Sequence, residues 1–427
     1  MNAAQLIRAI ENGAIDESIV TLSGKEAIAY QRSRYLTVVR EFAERYGEDR
    51  ELTLYSVSGR SELSGNHTDH NYGCVIAASI DLDVIAAVSP REDSVIRVKS
   101  EGFPEDVVDV NLYTEPDIAR YGTSASIIAG MADGFRRNGY AVGGFDAYTT
   151  SNVLKGSGLS SSAAFEDMIG NILSHLYNDG KVSCVEIAKL AQYSENVFFG
   201  KPCGLMDQVA CAVGGIVAID FGNPASPVID QIDFDLSAAG YRLCIVNTGG
   251  NHADLTDDYA AIPTEMKAVA AHFGKKVLRE CTEEEIVKAI PALRKTVGDR
   301  AILRALHFLR ENERVASQKT ALLSGDLDSY FAGVLSSGRS SFCYLQNVYT
   351  TKNVQEQGLS LALALAEGYL VGKKAAFRVH GGGFAGTIQA YVPENDVDGF
   401  RALMDSSFGE GACAVLRVRP RGAVRVI

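Results

Sequence analysis

The stretch from Asn152 to Leu176, NVLKGSGLSSSAAFEDMIGNILSHL, constrains this chain most, because it sets a glycine-serine loop between a strand pattern and a helix pattern. Before it, Gly143 to Leu154 alternates and carries Phe145, Tyr148, Thr149 and Thr150, which suit a half-buried strand. After it, Phe165, Met168, Ile169, Ile172, Leu173 and Leu176 recur at spacings of three and four, the buried stripe of an amphipathic helix. The first turn of such a helix offers unpaired N–H groups and the positive end of the helix dipole. Gly156 and Gly158 have no Cβ to keep an anion away, and Ser160, Ser161 and Ser162 add hydroxyls that suit phosphate oxygens or Mg²⁺. The stretch therefore reads as a phosphate cradle, with a serine-capped helix after a flexible turn as the plainer alternative. It is neither a Walker A loop nor a Gly-x-Gly-x-x-Gly fingerprint.

A chain of 427 residues exceeds what one core usually serves, so two domains are expected. The net charge of −12 argues against a nucleic-acid partner, which would need a basic face. No run approaches the roughly 20 apolar residues of a membrane span, and the start shows no export signal. The eight cysteines are scattered without a Cys-x-x-Cys pair, which suggests neither a zinc site nor a disulfide framework. A cytoplasmic protein, expected to be monomeric, fits these features.

Along the chain, residues 1–50 read as helices. Leu52, Leu54 and Val57 suggest a strand running into Gly59 and Arg60, and Cys74 to Pro90 one or two buried strands. Between them Arg60, Glu62, Asn66, His67, Asp69, His70 and Asn71 crowd into twelve residues, a mixture that either faces a hydroxylated ligand or makes its own Asx turns. Ser183 to Gly200 begins with a capping box and places Glu195 near its end. Asp207 stands in an apolar, glycine-bounded segment, where a carboxylate is either a base with a tuned pKa or a helix N-cap. Phe221 to Asp230, with two prolines, marks a domain boundary near residue 225, dividing the chain into 1–225 and 226–427. The second part mixes helices with antiparallel strands, including strand, glycine turn and strand over Ala375 to Pro393, so the class is α+β.

Four stretches, in this order, resemble the GHMP kinase superfamily, and the first resembles its galactokinase family. That signature, Gly-Arg-x-Asn-Leu-x-Gly-Glu-His-Thr-Asp-Tyr-Asn, compares with GRSELSGNHTDHN from Gly59. GLSSSA from Gly158 resembles the ATP loop, GLMDQ from Gly204 the catalytic-aspartate segment, and HGGGFAG from His380 the third, glycine-rich motif. The resemblance implies a two-domain fold with the site in the cleft between the domains, and phosphorylation of a sugar, galactose foremost, by ATP and Mg²⁺. It implies Asp207 as base and Arg60 as the cation beside it. Asn66, His67, Thr68, Asp69, Gly204 and Tyr259 would bind the sugar. Gly156, Ser157, Gly158, Leu159, Ser160, Ser161 and Ser162 would wrap the ATP phosphates, and Ser162 and Glu195 would hold Mg²⁺. The departures are Asn66 for the signature's glutamate, Glu62 for its asparagine, His70 for its tyrosine, and Leu154 where a proline often stands. A kinase for another sugar or amino sugar, and a silent sugar sensor on the same fold, are the alternatives.

Overall fold

The computed structural model describes residues 1–153, 158–250 and 255–427. Among these, twelve strands follow in chain order: β1 (Thr53–Ser64), β2 (Cys74–Pro90), β3 (Val95–Ser100), β4 (Glu105–Asp109), β5 (Phe145–Ser151), β6 (Ile216–Asp220), β7 (Val228–Ile232), β8 (Tyr241–Asn247), β9 (Ala376–Val379), β10 (Thr387–Pro393), β11 (Cys413–Leu416) and β12 (Ala423–Arg425). An eight-stranded sheet runs β12-β1-β2-β5-β3-β4, with β6 and β7 attached to the first half of β2. Its pairs are antiparallel except β3 with β5. A four-stranded sheet, β11-β8-β10-β9, carries the second part of the chain. The α+β expectation holds, with helices packed on both sheets.

Period-two alternation decides which face of the larger sheet each residue covers. Leu54, Ile85, Ala87 and Tyr148 pack against the N-terminal helices Ala3–Glu11 and Ile28–Tyr46, while Tyr55, Ala86, Val88 and Ala147 face the core that holds Met168, Ile169, Ile172 and Leu173. The helix Ser161–Tyr177 thus lies on the inner face with its apolar stripe inward, as its spacing predicts.

Two boundaries differ from the sequence expectation. β1 does not stop at Gly59 and Arg60 but runs on to Ser64, because register shifts between Ser58 and Arg60 and between Glu62 and Ser64 absorb the polar residues without ending the ladder. The proline-rich Phe221–Asp230 segment turns the β6–β7 hairpin, both strands of which belong to the larger sheet, so a division at residue 225 passes through that turn. The last strand, β12, returns to pair with β1.

Candidate active site

Loops from both sheets meet around Arg60. Its position on β1 points the guanidinium at the helix Met206–Val213, where Nε and Nη2 donate to the two carboxylate oxygens of Asp207, each at 2.8 Å. Arg60 Nη1 donates to the carbonyl of Gly158, tying the phosphate-loop side to the same cation. Asp207 is the second residue of its helix and caps nothing. Burial would raise its carboxyl, but Arg60 and the Ser160 hydroxyl outweigh that and hold it below the usual carboxylate range. The side chain remains 35% exposed, so it is an ionised acceptor open to a ligand.

The helix that begins at Ser161 has no side-chain cap. Ser160 sits in the left-handed region at φ 56°, and its hydroxyl turns away from the helix to donate to Asp207. The serine-capped alternative therefore fails for Ser160, and the first N–H groups stay open toward an anion. Gly158, at φ 70°, takes a conformation that L side chains rarely adopt. Leu159 is buried, while Ser162 is exposed. Gly156 and Ser157 lie outside the described residues.

Beside this turn lies a cavity of about 710 Å³, walled by Ile127, Val153, Phe165 and Phe199 and edged by Asn152, Ser161, Ser162, Glu166 and Glu195. Apolar walls with a few polar groups suit a planar base ending at the phosphate turn. Glu195 occupies a wide π-type turn, Ser194–Phe199, that continues the helix Cys184–Tyr193. Lys201 Nζ donates to its Oε1 at 3.1 Å and Gln208 Nε2 to its Oε2 at 2.9 Å. Gln208 Nε2 also donates to Glu166 Oε2 at 3.0 Å, and the buried Glu166 Oε1 and Gln208 Oε1 have no partner. Burial, and Glu195 beside it, push the Glu166 carboxyl well above the usual range. Hydroxyl and carboxylate oxygens with orphaned neighbours fit Mg²⁺, which takes one or two protein carboxylates together with waters and substrate phosphates. Among the described residues no three or more His, Cys, Asp or Glu groups converge on a point.

The sugar-side residues divide into two groups. Asp69 is partly open, and a Cβ on Gly204 would stand 2.7 Å from its carboxylate, so that glycine keeps the space clear. Of the others, Asn66, His67 and Tyr259 grip the glycine turn between β9 and β10. His67 Nε2 donates to the Gly382 carbonyl at 2.9 Å, and burial lowers its pKa to about 4, so the ring is neutral. Tyr259 donates to the Gly383 carbonyl at 2.7 Å and packs edge-to-face on Phe384. Thr68 is buried with its hydroxyl on the carbonyls of Gly65 and Cys74. Asn66 is fully buried, and its amide is in use on every side. It donates to Glu62 Oε1 (3.2 Å) and the Gly381 carbonyl (2.6 Å), and it accepts from Ser341 Oγ (3.2 Å) and Asn347 Nδ2 (2.8 Å). As placed it turns no polar atom toward a ligand.

Glu166, Gln208, Lys201 and His380 do not emerge as site residues from the sequence. Gln208 follows Asp207 directly, and a glutamine inside an apolar helix was the available signal. His380 opens the glycine-rich motif, but nothing local assigns its ring a role: its Nε2 is 3.0 Å from Ser61 Oγ, its Nδ1 2.9 Å from Thr387 Oγ1, and a Cβ on Gly158 would stand 3.5 Å from its ring.

Residues 122–215 match the family described as GHMP kinases N terminal domain, and residues 40–90 match the galactokinase galactose-binding signature. The chain is 32% identical to a galactokinase of Streptomyces coelicolor over 390 residues, covering 90% of this chain and 95% of that one. It is 30% identical to a galactokinase of Actinobacillus pleuropneumoniae, covering 86% and 92%. The fold is similar to that of a Lactococcus lactis galactokinase complexed with galactose, with a TM-score of 0.74 at 24% identity over 90% of this chain and 98% of that one. It is also similar to the mevalonate kinase of Methanococcus jannaschii, with a TM-score of 0.60 at 14% identity over 87% and 98%.

Proposed function

The chain belongs to the galactokinase family of GHMP kinases, and on that footing we propose that it moves the γ-phosphoryl group of ATP to the anomeric hydroxyl of galactose, giving galactose 1-phosphate. The observation that carries this reading is the Asp207 carboxylate, forked by Arg60 and reached by Ser160, beside an uncapped helix N-terminus. Phosphoryl transfer asks little covalent chemistry of a protein and much positioning and charge. The loop from Gly156 to Ser162 holds the phosphates. Asp207 orients the attacking hydroxyl and takes its proton. A carboxylate held this acidic is a weak base, which suits a transition state where the proton leaves late. Arg60 keeps Asp207 ionised and offsets charge that grows next to Gly158. Ser162 and Glu195 would hold Mg²⁺, which neutralises phosphate oxygens when bound. Asp69 and Gly204 meet the sugar, while Asn66, His67 and Tyr259 shape its pocket through the glycine turn and Thr68 fixes the loop that carries them.

The eight cysteines are unpaired, which suits a reducing compartment, and we place the enzyme in the cytoplasm. No described helix is long and apolar enough to cross a membrane. The deciding experiment is ADP release by the purified protein with Mg-ATP across a panel of monosaccharides, with phosphorus NMR identifying an anomeric phosphate. Turnover of galactose above all other sugars is expected. Turnover confined to another hexose or an amino sugar would move the substrate and keep the chemistry. Sugar binding by calorimetry without any turnover would replace the kinase with a sensor.

A further inference from the structure

The cation end of the site holds one more carboxylate than the proposed Mg²⁺ ligands use. Glu166 stands on the first turns of the helix that carries Ser162, and it shares a wall of the 710 Å³ cavity with Ser162 and Glu195. One amide nitrogen, Gln208 Nε2, gives its two hydrogens to Glu166 Oε2 and Glu195 Oε2, at 3.0 and 2.9 Å. The two carboxylates are thereby held at a fixed spacing. Their other oxygens differ. Glu195 Oε1 has Lys201, whereas Glu166 Oε1 is fully buried and has no donor at all. A buried carboxylate oxygen without a donor is costly, and Glu166 is one of the residues that line the cavity.

We propose that Glu166 is a third protein group serving the divalent cation: through Oε1 it accepts a hydrogen bond from a cation-bound water, and Gln208 keeps it in step with Glu195. Mg²⁺ keeps several waters when it binds proteins, and partners that orient such outer ligands typically change metal affinity by 10- to 100-fold when removed. The inference rests on the reading of this site as one for Mg-nucleotide. Its test uses a binding readout. Mn²⁺ affinity of the full-length protein with ADP present is measured by electron paramagnetic resonance for the parent, Glu166→Gln and Gln208→Met. The Glu166→Gln change keeps shape and an acceptor for Gln208 but replaces the carboxyl by an amide. Either variant that folds should bind Mn²⁺ about 10-fold more weakly, with galactose affinity by calorimetry unchanged. Mn²⁺ affinity within two-fold of the parent in the folded variants overturns the role of Glu166. A parent that binds no Mn²⁺ with ADP overturns the nucleotide reading instead, so the two failures are distinct.

Discussion

Asp207 and Arg60 form one unit, so their variants should fail differently. Asp207→Asn keeps the shape but cannot take the hydroxyl proton, and kcat should fall about 10² to 10⁴-fold, with nucleotide binding kept. Equal kcat in variant and parent would remove Asp207 from the chemistry. Since Arg60 and Ser160 hold its carboxyl low, Asp207 is ionised at every pH the enzyme meets, and kcat/KM should show no acid limb near pH 6 from this group. Two and six residues past Arg60, Glu62 and Asn66 form a second unit that answers a question the signature raises. The signature places asparagine and glutamate where this chain has Glu62 and Asn66, and these two side chains touch at 3.2 Å. The two departures are therefore one exchange. Glu62 is also the partner of the fully buried Arg378. Asn66→Glu alone sets a second carboxylate beside Glu62 and against the Gly381 carbonyl. Glu62→Asn alone strands Arg378, a loss on the order of 3 to 5 kcal/mol. The double exchange restores one carboxylate and one amide. Urea unfolding of the four proteins should show both singles destabilised and the double recovering part of the loss. Additive losses would show that the positions are independent.

The helix Ser161–Tyr177 shows what a sequence pattern carries and what it leaves out. Its stripe of Met168, Ile169, Ile172 and Leu173, and the glycines and serines before it, follow from local spacing, and so does the open N-terminus they produce. The long strands were equally legible, because unbroken apolar runs leave few other states. The Arg60–Asp207 pair lies 147 residues apart in the chain, and only the resemblance placed the two together. The amide of Gln208 and the grip of His67 and Tyr259 on the glycine turn likewise arise from packing between sheets, which no local period encodes. The β3–β4 hairpin carries a local signal as well, in the alternation of Ile96, Arg97, Val98 and Lys99. Within the same helix, Asp167 is fully buried and neither carboxylate oxygen has a partner. Burial, with Glu166 and Asp207 nearby, pushes its carboxyl well above the usual range. The folded protein thus keeps a proton that the unfolded chain releases, so this group costs stability as pH rises above the unfolded carboxylate value of about 3.9. Asp167→Asn removes the titration. Its melting temperature relative to the parent should rise from pH 5 to pH 8, and a constant difference would mean that Asp167 is not protonated in the fold.

Three distant parts of the molecule converge on Asp83, a buried residue of β2. Arg34, from the helix Ile28–Tyr46, donates to its carboxylate and, at 3.1 Å, to its carbonyl. Arg419, near the chain's end, donates to the same carboxylate at 3.2 Å, and Ser56 of β1 adds a hydroxyl. The backbone of Asp83 exchanges hydrogen bonds with Asn152, which enters the phosphate turn: Asp83 N–H to Asn152 Oδ1 at 2.7 Å, and Asn152 N–H to the Asp83 carbonyl at 3.2 Å. The N-terminal helices, whose role the sequence leaves open, are thus bolted to the segment that leads toward the Gly158–Ser162 turn. Burial would raise the Asp83 carboxyl, but Arg34 and Arg419 reverse this and hold it below the ordinary value. Its contribution is therefore present above the unfolded carboxylate value of about 3.9 and is lost as pH falls through the lower folded value. Asp83→Asn leaves two buried guanidinium groups without a counter-charge, a loss of about 3 to 5 kcal/mol. At pH 7 the urea midpoint should drop accordingly, and the gap from the parent should close only below about pH 4. Because Asn152 is held by the Asp83 backbone and lines the 710 Å³ cavity proposed for the nucleotide, the folded variant should also show a higher KM for ATP with the sugar KM unchanged. Equal shifts in both KM values would mean that Asp83 supports the fold as a whole and does not single out the phosphate turn.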